Sequence, residues 1–307
     1  MFSDHVRRRV VVVLALQVVL VAGLVAVALA LTGPSKTSGP VPAARAGHFD
    51  ARSAYRLAAL QVRSGQRPAG SPQLRRLAAE LRPKLPGGHF EAIPGAPKLR
   101  NVVGTLAGRR PAIVVGAHYD TLVKPAGFVG ANNGAAGSAI VVQLARDLAR
   151  LKRPANARAV RFVLFDGEEP DAGLPEEQTD FYATGLRGSR ADAKRNARTT
   201  KAMILLDYVG NRGLRLPREG TSNTALWARL SGAARTAGVG AVFPGATGPA
   251  IIDDHTPYLR AGVPAVDLID WSYPGHQKSD TLDKLSARSM DAVGEAVLGL
   301  VQDLRTR

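Results

Sequence analysis

The chain has 307 residues, 45% of them hydrophobic, which is enough for one large α/β domain or two small ones. It has no Cys, so a disulfide framework and a thiolate-rich metal site are excluded, and any metal must be held by His, carboxylate and amide oxygen. A formal charge of +16 suits anionic partners, yet aromatics are only 5% and the arginines are scattered over helical polar faces and loops, so no nucleic-acid partner is expected.

Arg7-Arg8-Arg9 precede residues 10–31, an uncharged run that is apolar except for Gln17. A helix needs roughly 20 such residues to span a bilayer. The basic flank then places residues 1–9 in the cytoplasm and everything after the span outside it, with the membrane as a partner. A cleaved secretory signal is the alternative, since Ala28-Leu29-Ala30 resembles a cleavage site, although signal cores usually run to about 7–15 residues. Residues 32–47, rich in Gly, Pro, Ser and Ala, read as a flexible linker, and 48–307 as one folded domain.

Within that domain, residues 49–63 carry Phe49, Leu57 and Leu60 at helical spacing, and Ser71-Pro72 opens a helix with Leu74, Leu77 and Leu81 on one side. Residues 65–71 read as a turn-rich connector. Strands are expected at 99–106 and 111–117, the second running into His118-Tyr119-Asp120. Gly130-Ala131-Asn132-Asn133-Gly134 leads into a helix with Gln143, Arg146, Asp147 and Arg150 facing outward, which makes Asn132 and Asn133 candidate caps.

The apolar run 158–164 is closed by Phe165-Asp166-Gly167-Glu168-Glu169-Pro170. Adjacent carboxylates at a strand's carboxyl end repel unless a cation or a held proton lies between them. One of Glu168 and Glu169 is therefore expected to bind a metal while the other moves protons; a solvated acidic loop is the plain alternative. Residues 171–185 are polar. A further strand at 202–209 contains Asp207, which calls for a cationic partner if buried. Ser222 reads as the cap of a helix reaching 237, Asp253-Asp254-His255-Thr256-Pro257 opens a short helix, 264–269 is a last strand, and 286–304 a closing helix. Strands alternate with helices throughout, so the expected fold is a single α/β domain with a mixed, largely parallel central sheet covered by helices on both faces.

Polar residues at strand ends collect as His118, Asn133, Glu168, Glu169, Asp207, Asp253 and His276, a donor set suited to Zn²⁺. Their order and local sequence, from His118-Tyr119-Asp120 through Gly130-Ala131-Asn132-Asn133-Gly134, Phe165-Asp166-Gly167-Glu168-Glu169, Leu206-Asp207 and Asp253-Asp254-His255-Thr256-Pro257-Tyr258 to His276, resemble metallopeptidase family 28. That family holds zinc aminopeptidases and, as a branch, glutaminyl-peptide cyclotransferases. The resemblance implies a zinc aminopeptidase-like fold and a peptide substrate. In the two-zinc form, His118 and Asp207 serve one ion, Glu169 and His276 the other, position 133 bridges them, and Glu168 is the general base. In the cyclotransferase form, one zinc uses position 133, Glu169 and His276, while Glu168 shuttles a proton with help from Asp207 and Asp253.

Two positions depart from the family pattern. Asn133 stands where the resemblance implies Asp, and a neutral amide cannot supply the negative charge that two adjacent dications require. One zinc, two, or a metal-poor site all stay open. Gly275 stands before His276 where cyclotransferases carry Trp, so a wall of the pocket is expected to be missing. The leading expectation is a membrane-tethered, extracytoplasmic metallo-aminopeptidase; the alternatives are a glutaminyl-peptide cyclotransferase and a non-catalytic binding module.

Overall fold

The computed structural model describes residues 40–45, 47–170 and 180–307. The expected membrane anchor at 10–31, most of the linker and residues 171–179 lie outside the described residues. Among the described residues, no helix is long and apolar enough to cross a membrane.

The first helix, α1 (Ala51–Arg63), starts where the Asp50 carboxylate accepts the Ser53 N–H at 2.9 Å. Phe49 precedes it and is fixed by its N–H donating to Glu295 Oε1 at 2.7 Å. In α2 (Pro72–Leu81), Ser71 caps Leu74 N–H and proline occupies the first turn, as the sequence predicts. The connector between the two helices is more than a turn, because Arg67 within it is fully buried. Its guanidinium donates to the carbonyls of Tyr119, Val129 and Gly130, tying together the loop that follows the third strand.

Six strands form one mixed sheet: β1 (His89–Ala92), β2 (Arg100–Leu106), β3 (Arg109–His118), β4 (Arg158–Phe165), β5 (Thr200–Asp207) and β6 (Ala265–Ile269), in the order β1-β2-β4-β3-β5-β6. Neighbours from β4 through β3 and β5 to β6 are parallel; β1 and β2 run antiparallel at one edge. β1 is absent from the sequence reading because its four half-exposed residues show no apolar alternation. The remaining helices are α3 (Gly137–Arg150), α4 (Phe181–Thr184), α5 (Arg187–Asn196), α6 (Thr224–Thr236), α7 (Thr256–Arg260) and α8 (Ala287–Thr306).

Alternate strand residues feed two cores. Ile113, Val115, Phe162, Leu164, Ile204 and Leu206 face a large layer built by α1, α2, α3, α6 and α8. Val114, Val163, Phe165, Met203 and Leu205 face Ala193 of α5 and Tyr258 of α7. Both faces of the sheet are thus covered, as expected.

Three local expectations are corrected. Gln143 and Asp147 of α3 point inward: Gln143 donates to Asp147 at 2.8 Å and Asp50 N–H donates to Asp147 at 2.9 Å, because the residues before α1 run over this helix. Asn132 and Asn133 do not cap α3. They lie in a kinked turn, Asn133 at φ −80°, ψ 101° and Gly134 at φ 87°, and their side chains bond across the fold. Asn223, not Ser222, caps α6, while Ser222 Oγ bonds Glu219 and accepts Asp267 N–H.

The register pairs His118 with Phe165 and Asp207 with Ile269, so β3, β4, β5 and β6 end together at one rim. Ligands of open α/β sheets bind outside such a rim.

Candidate active site

His118 closes β3 and is buried, with neither ring nitrogen making a hydrogen bond. Nδ1 lies 3.6 Å from Asp120 Oδ1 and 3.7 Å from Glu168 Oε2, and Nε2 lies 3.5 Å from Asp207 Oδ1. These separations are too long for hydrogen bonds but short for charge attraction. Burial opposes a charge on the ring, yet Glu168, Asp120 and Asp207 outweigh it and raise the imidazole well above its usual range. Asp207 thus has the cationic partner its burial requires.

Glu168 and Glu169 follow β4 on a turn that needs Gly167 at φ 78°; a Cβ there would also sit 2.8 Å from Arg187 Nε. Both glutamates are buried, which overturns the solvated-loop alternative. Their backbone N–H groups donate to the two oxygens of Asp120 at 3.3 and 3.2 Å, so one carboxylate fixes the direction of two others. Burial, and next the Glu169 charge, push Glu168 well above the carboxylate range. Burial lifts Glu169 to about 7 against the pull of His276 and His118. A cation beside the pair reverses both directions.

Asn133 reaches Glu169 from the kinked turn, its Nδ2 donating to Oε1 at 2.7 Å. The turn is held by Asp280, which accepts the N–H of Asn132 at 2.8 Å, that of Asn133 at 3.0 Å and the Tyr273 hydroxyl at 2.7 Å. His276, at φ 55°, brings Nε2 to 3.7 Å from the same Glu169 oxygen. The space beside Gly275 is filled by Tyr208, whose hydroxyl would lie 2.3 Å from any Cβ there. Tyr208 therefore supplies the pocket wall that the sequence leaves missing.

Behind the rim lies a second acidic layer. Burial, then Asp207, raises Asp253 to about 7, and burial with neighbouring carboxylates drives Asp254 and Asp267 well above their usual range. Asp253 Oδ2 and both oxygens of Asp254 and Asp267 make no hydrogen bond. Unpaired buried carboxylates are costly, so this layer keeps protons or faces a cation.

Asn133, Glu168, Asp207, Asp253 and His276 line one cavity of about 540 Å³, with the exposed Ile252 and Trp271 at its mouth. His118 and Glu169 adjoin it, so all seven predicted site residues come together. His118, Glu168 and Glu169 each offer a ligand atom within 4.8 Å of the others, and nitrogen and oxygen donors with no thiolate fit a divalent ion such as zinc. This group includes Glu168, which the resemblance assigns to proton transfer. The sequence reading missed Asp120, Arg67, Asp267 and Asp280. Only Asp120 had a signal, its place two residues after His118.

Residues 101–301 match the profile of peptidase family M28. The chain belongs to peptidase family M28. Among its relatives, this M28 chain is 28% identical over 227 residues to the glutaminyl-peptide cyclotransferase of Bothrops jararaca, a match covering 62% of this chain and 61% of that protein's length. Its fold resembles an Acidobacteriales bacterium glutaminyl cyclase at a TM-score of 0.74 and 26% identity, covering 88% of this chain and 99% of that one. It also resembles a Zn-dependent exopeptidase from Parabacteroides distasonis at a TM-score of 0.72 and 25% identity, covering 87% and 100%.

Proposed function

We propose that the chain acts as a glutaminyl-peptide cyclotransferase, closing the N-terminal glutamine of a peptide into a lactam with loss of ammonia. This reverses the ranking the sequence alone suggests, in which aminopeptidase leads. The observation that carries it is the 2.7 Å hydrogen bond from Asn133 Nδ2 to Glu169 Oε1. A two-ion hydrolase needs negative charge at this position, and the neutral amide spends its donor on a carboxylate instead. Cyclisation needs one electrophilic centre and a proton shuttle, and no activated water.

In the proposed reaction the substrate's α-amine nitrogen attacks its own side-chain amide carbon. The new C–N bond closes the ring and the old C–NH₂ bond breaks. Glu168, in the cavity wall, takes the amine proton and returns it to the departing nitrogen, a task suited to a carboxyl whose hold on a proton is strengthened by burial. Asp207 and Asp253 line the same cavity and would accept hydrogen bonds from the amine and amide while Glu168 alone carries the proton. Zinc held through Asn133, Glu169 and His276 would supply polarisation of the amide carbonyl.

Aminopeptidase action is the second reading, favoured by two separate pairs of imidazole and carboxylate, His118 with Asp207 at 3.5 Å and His276 with Glu169 at 3.7 Å. Incubating the zinc-loaded protein with a peptide beginning in Gln separates the two. Ammonia with an unchanged residue count is the expected result, whereas free glutamine and a shortened peptide overturn it. The place of action, outside the cytoplasm and tethered through residues 10–31, rests on the sequence; an N-terminus at Leu31 in protein recovered from the medium counts against the anchor.

A further inference from the structure

A second cavity, of about 730 Å³, is lined by neighbours of the residues that line the candidate active site. In α4, Phe181 lines the active-site cavity while Tyr182 and Ala183 line the other. Asp253 lines the first, and Pro257 and Arg260 of the helix that follows it line the second. Arg187, also in the second, donates to the carbonyls of Gly167 and Glu169.

The charged residues lining this groove are Arg187, Arg190, Lys194 and Arg260, and no carboxylate lines it among the described residues. The first three occupy one face of α5, a turn apart. Two of them stand in its first turn, where the helix dipole disfavours cations, and like charges at this spacing repel. Lys194 and Arg260 are exposed and have no hydrogen-bond or ion-pair partner among the described residues. The Arg260 guanidinium lies 3.5 Å from the centroid of the Tyr182 ring, which holds it flat and leaves its in-plane donors available. Arg190 also serves the local fold, donating to the carbonyls of Tyr182 and Ala183, whereas Lys194 and Arg260 have no such role among the described residues and together can hold an anion.

We propose that this groove binds acidic side chains of the peptide whose N-terminus enters the active site. The proposal rests on the cyclisation reading for the position of that N-terminus. α4 contributes to both linings, and a helix with its side chains is about 10 Å across, which sets the scale of the step from one to the other. An extended chain covers about 3.3–3.6 Å per residue, so the acidic residues fall about three to five places after the first.

The test uses two peptides of equal length beginning Gln-Ala, with either three Glu or three Ser at positions four to six. Ammonia release is followed for wild type and for a Lys194→Ser/Arg260→Ser variant. Labelled copies with an acetylated N-terminus report binding by fluorescence anisotropy without turnover. Wild type is expected to show a KM about tenfold lower for the acidic peptide, an advantage that shrinks with salt and vanishes in the variant, while the Ser peptide is turned over alike by both proteins. Equal KM values for the two peptides overturn the groove and leave the cyclisation reading standing. If neither peptide releases ammonia, the cyclisation reading fails, and equal anisotropy for the two acetylated peptides then overturns the groove as well. An acidic preference that survives in the variant overturns it too.

Discussion

Two cavities are lined by neighbouring residues, and their charge imbalances have opposite sign and opposite exposure. In the active site, Glu168, Glu169, Asp207, Asp253, Asp254 and Asp267 are each at most 9% exposed and gather around His118 and His255. In the groove, the free cations Lys194 and Arg260 are exposed. Water and salt screen the exposed imbalance, so it can tune affinity modestly and reversibly. The buried one cannot be screened and must be met by protons or by a cation, which is what makes it chemically useful. Perturbing the buried side should therefore have the larger consequences.

The largest effect is expected from Glu168→Gln. Removing the proton carrier should lower kcat by about 10²–10⁴-fold, the usual contribution of general acid–base catalysis. Stability should hold or rise, because the Glu169 charge that opposes Glu168 loses its like-charged neighbour. Thermal unfolding measured beside steady-state kinetics checks both halves. A variant that keeps wild-type turnover would move proton transfer to another carboxyl of the acidic layer.

Asn133→Asp tests how the buried imbalance is neutralised. The added carboxylate should raise bound zinc toward two ions per chain, as read by elemental analysis after dialysis, and shift activity from ammonia release toward hydrolysis. Chelation should then cost the variant more thermal stability than it costs wild type, because binding to the native state alone stabilises by mass action. Unchanged metal content would remove position 133 from the bridging role.

Much of this arrangement is legible in the chain, and the failures have physical causes. His118, Asp207 and the two glutamates stand at the ends of apolar runs, and strand periodicity is enough to place them at a rim. Asn133 sits before a helix, where local reasoning reads a cap, but the Asp280 carboxylate and Glu169 hold its turn and side chain in another geometry. Asp280 itself lies in a polar loop with no pattern around it. The cationic groove is invisible for the same reason: nothing in the chain sets Arg187, Arg190 and Lys194 apart from its other scattered cations, and only the fold brings Arg260 beside them. Scattered arginines in sequence thus become a cluster in space.

Glu219 marks the limit of the contrast, being the buried carboxylate beside the acidic layer that is driven down instead of up. Burial pushes it upward, but His255 and the N–H groups of Thr221 and Ile251 outweigh burial and bring it to about 2. A full set of donors thus reverses what burial does to Asp254 and Asp267. A folded pKa below the unfolded value means stability that is complete above the unfolded value of 4.5 and is lost as pH falls through 4.5 toward about 2. At about 1.36 kcal/mol per unit, the contribution near neutrality is roughly 3 kcal/mol. Urea titrations of wild type and Glu219→Gln should differ by about this amount at pH 7, with more than half of the gap gone near pH 3. A gap independent of pH would mean that Glu219 acts through packing alone, and that the donors around it are not what spares this one acid from the fate of its neighbours.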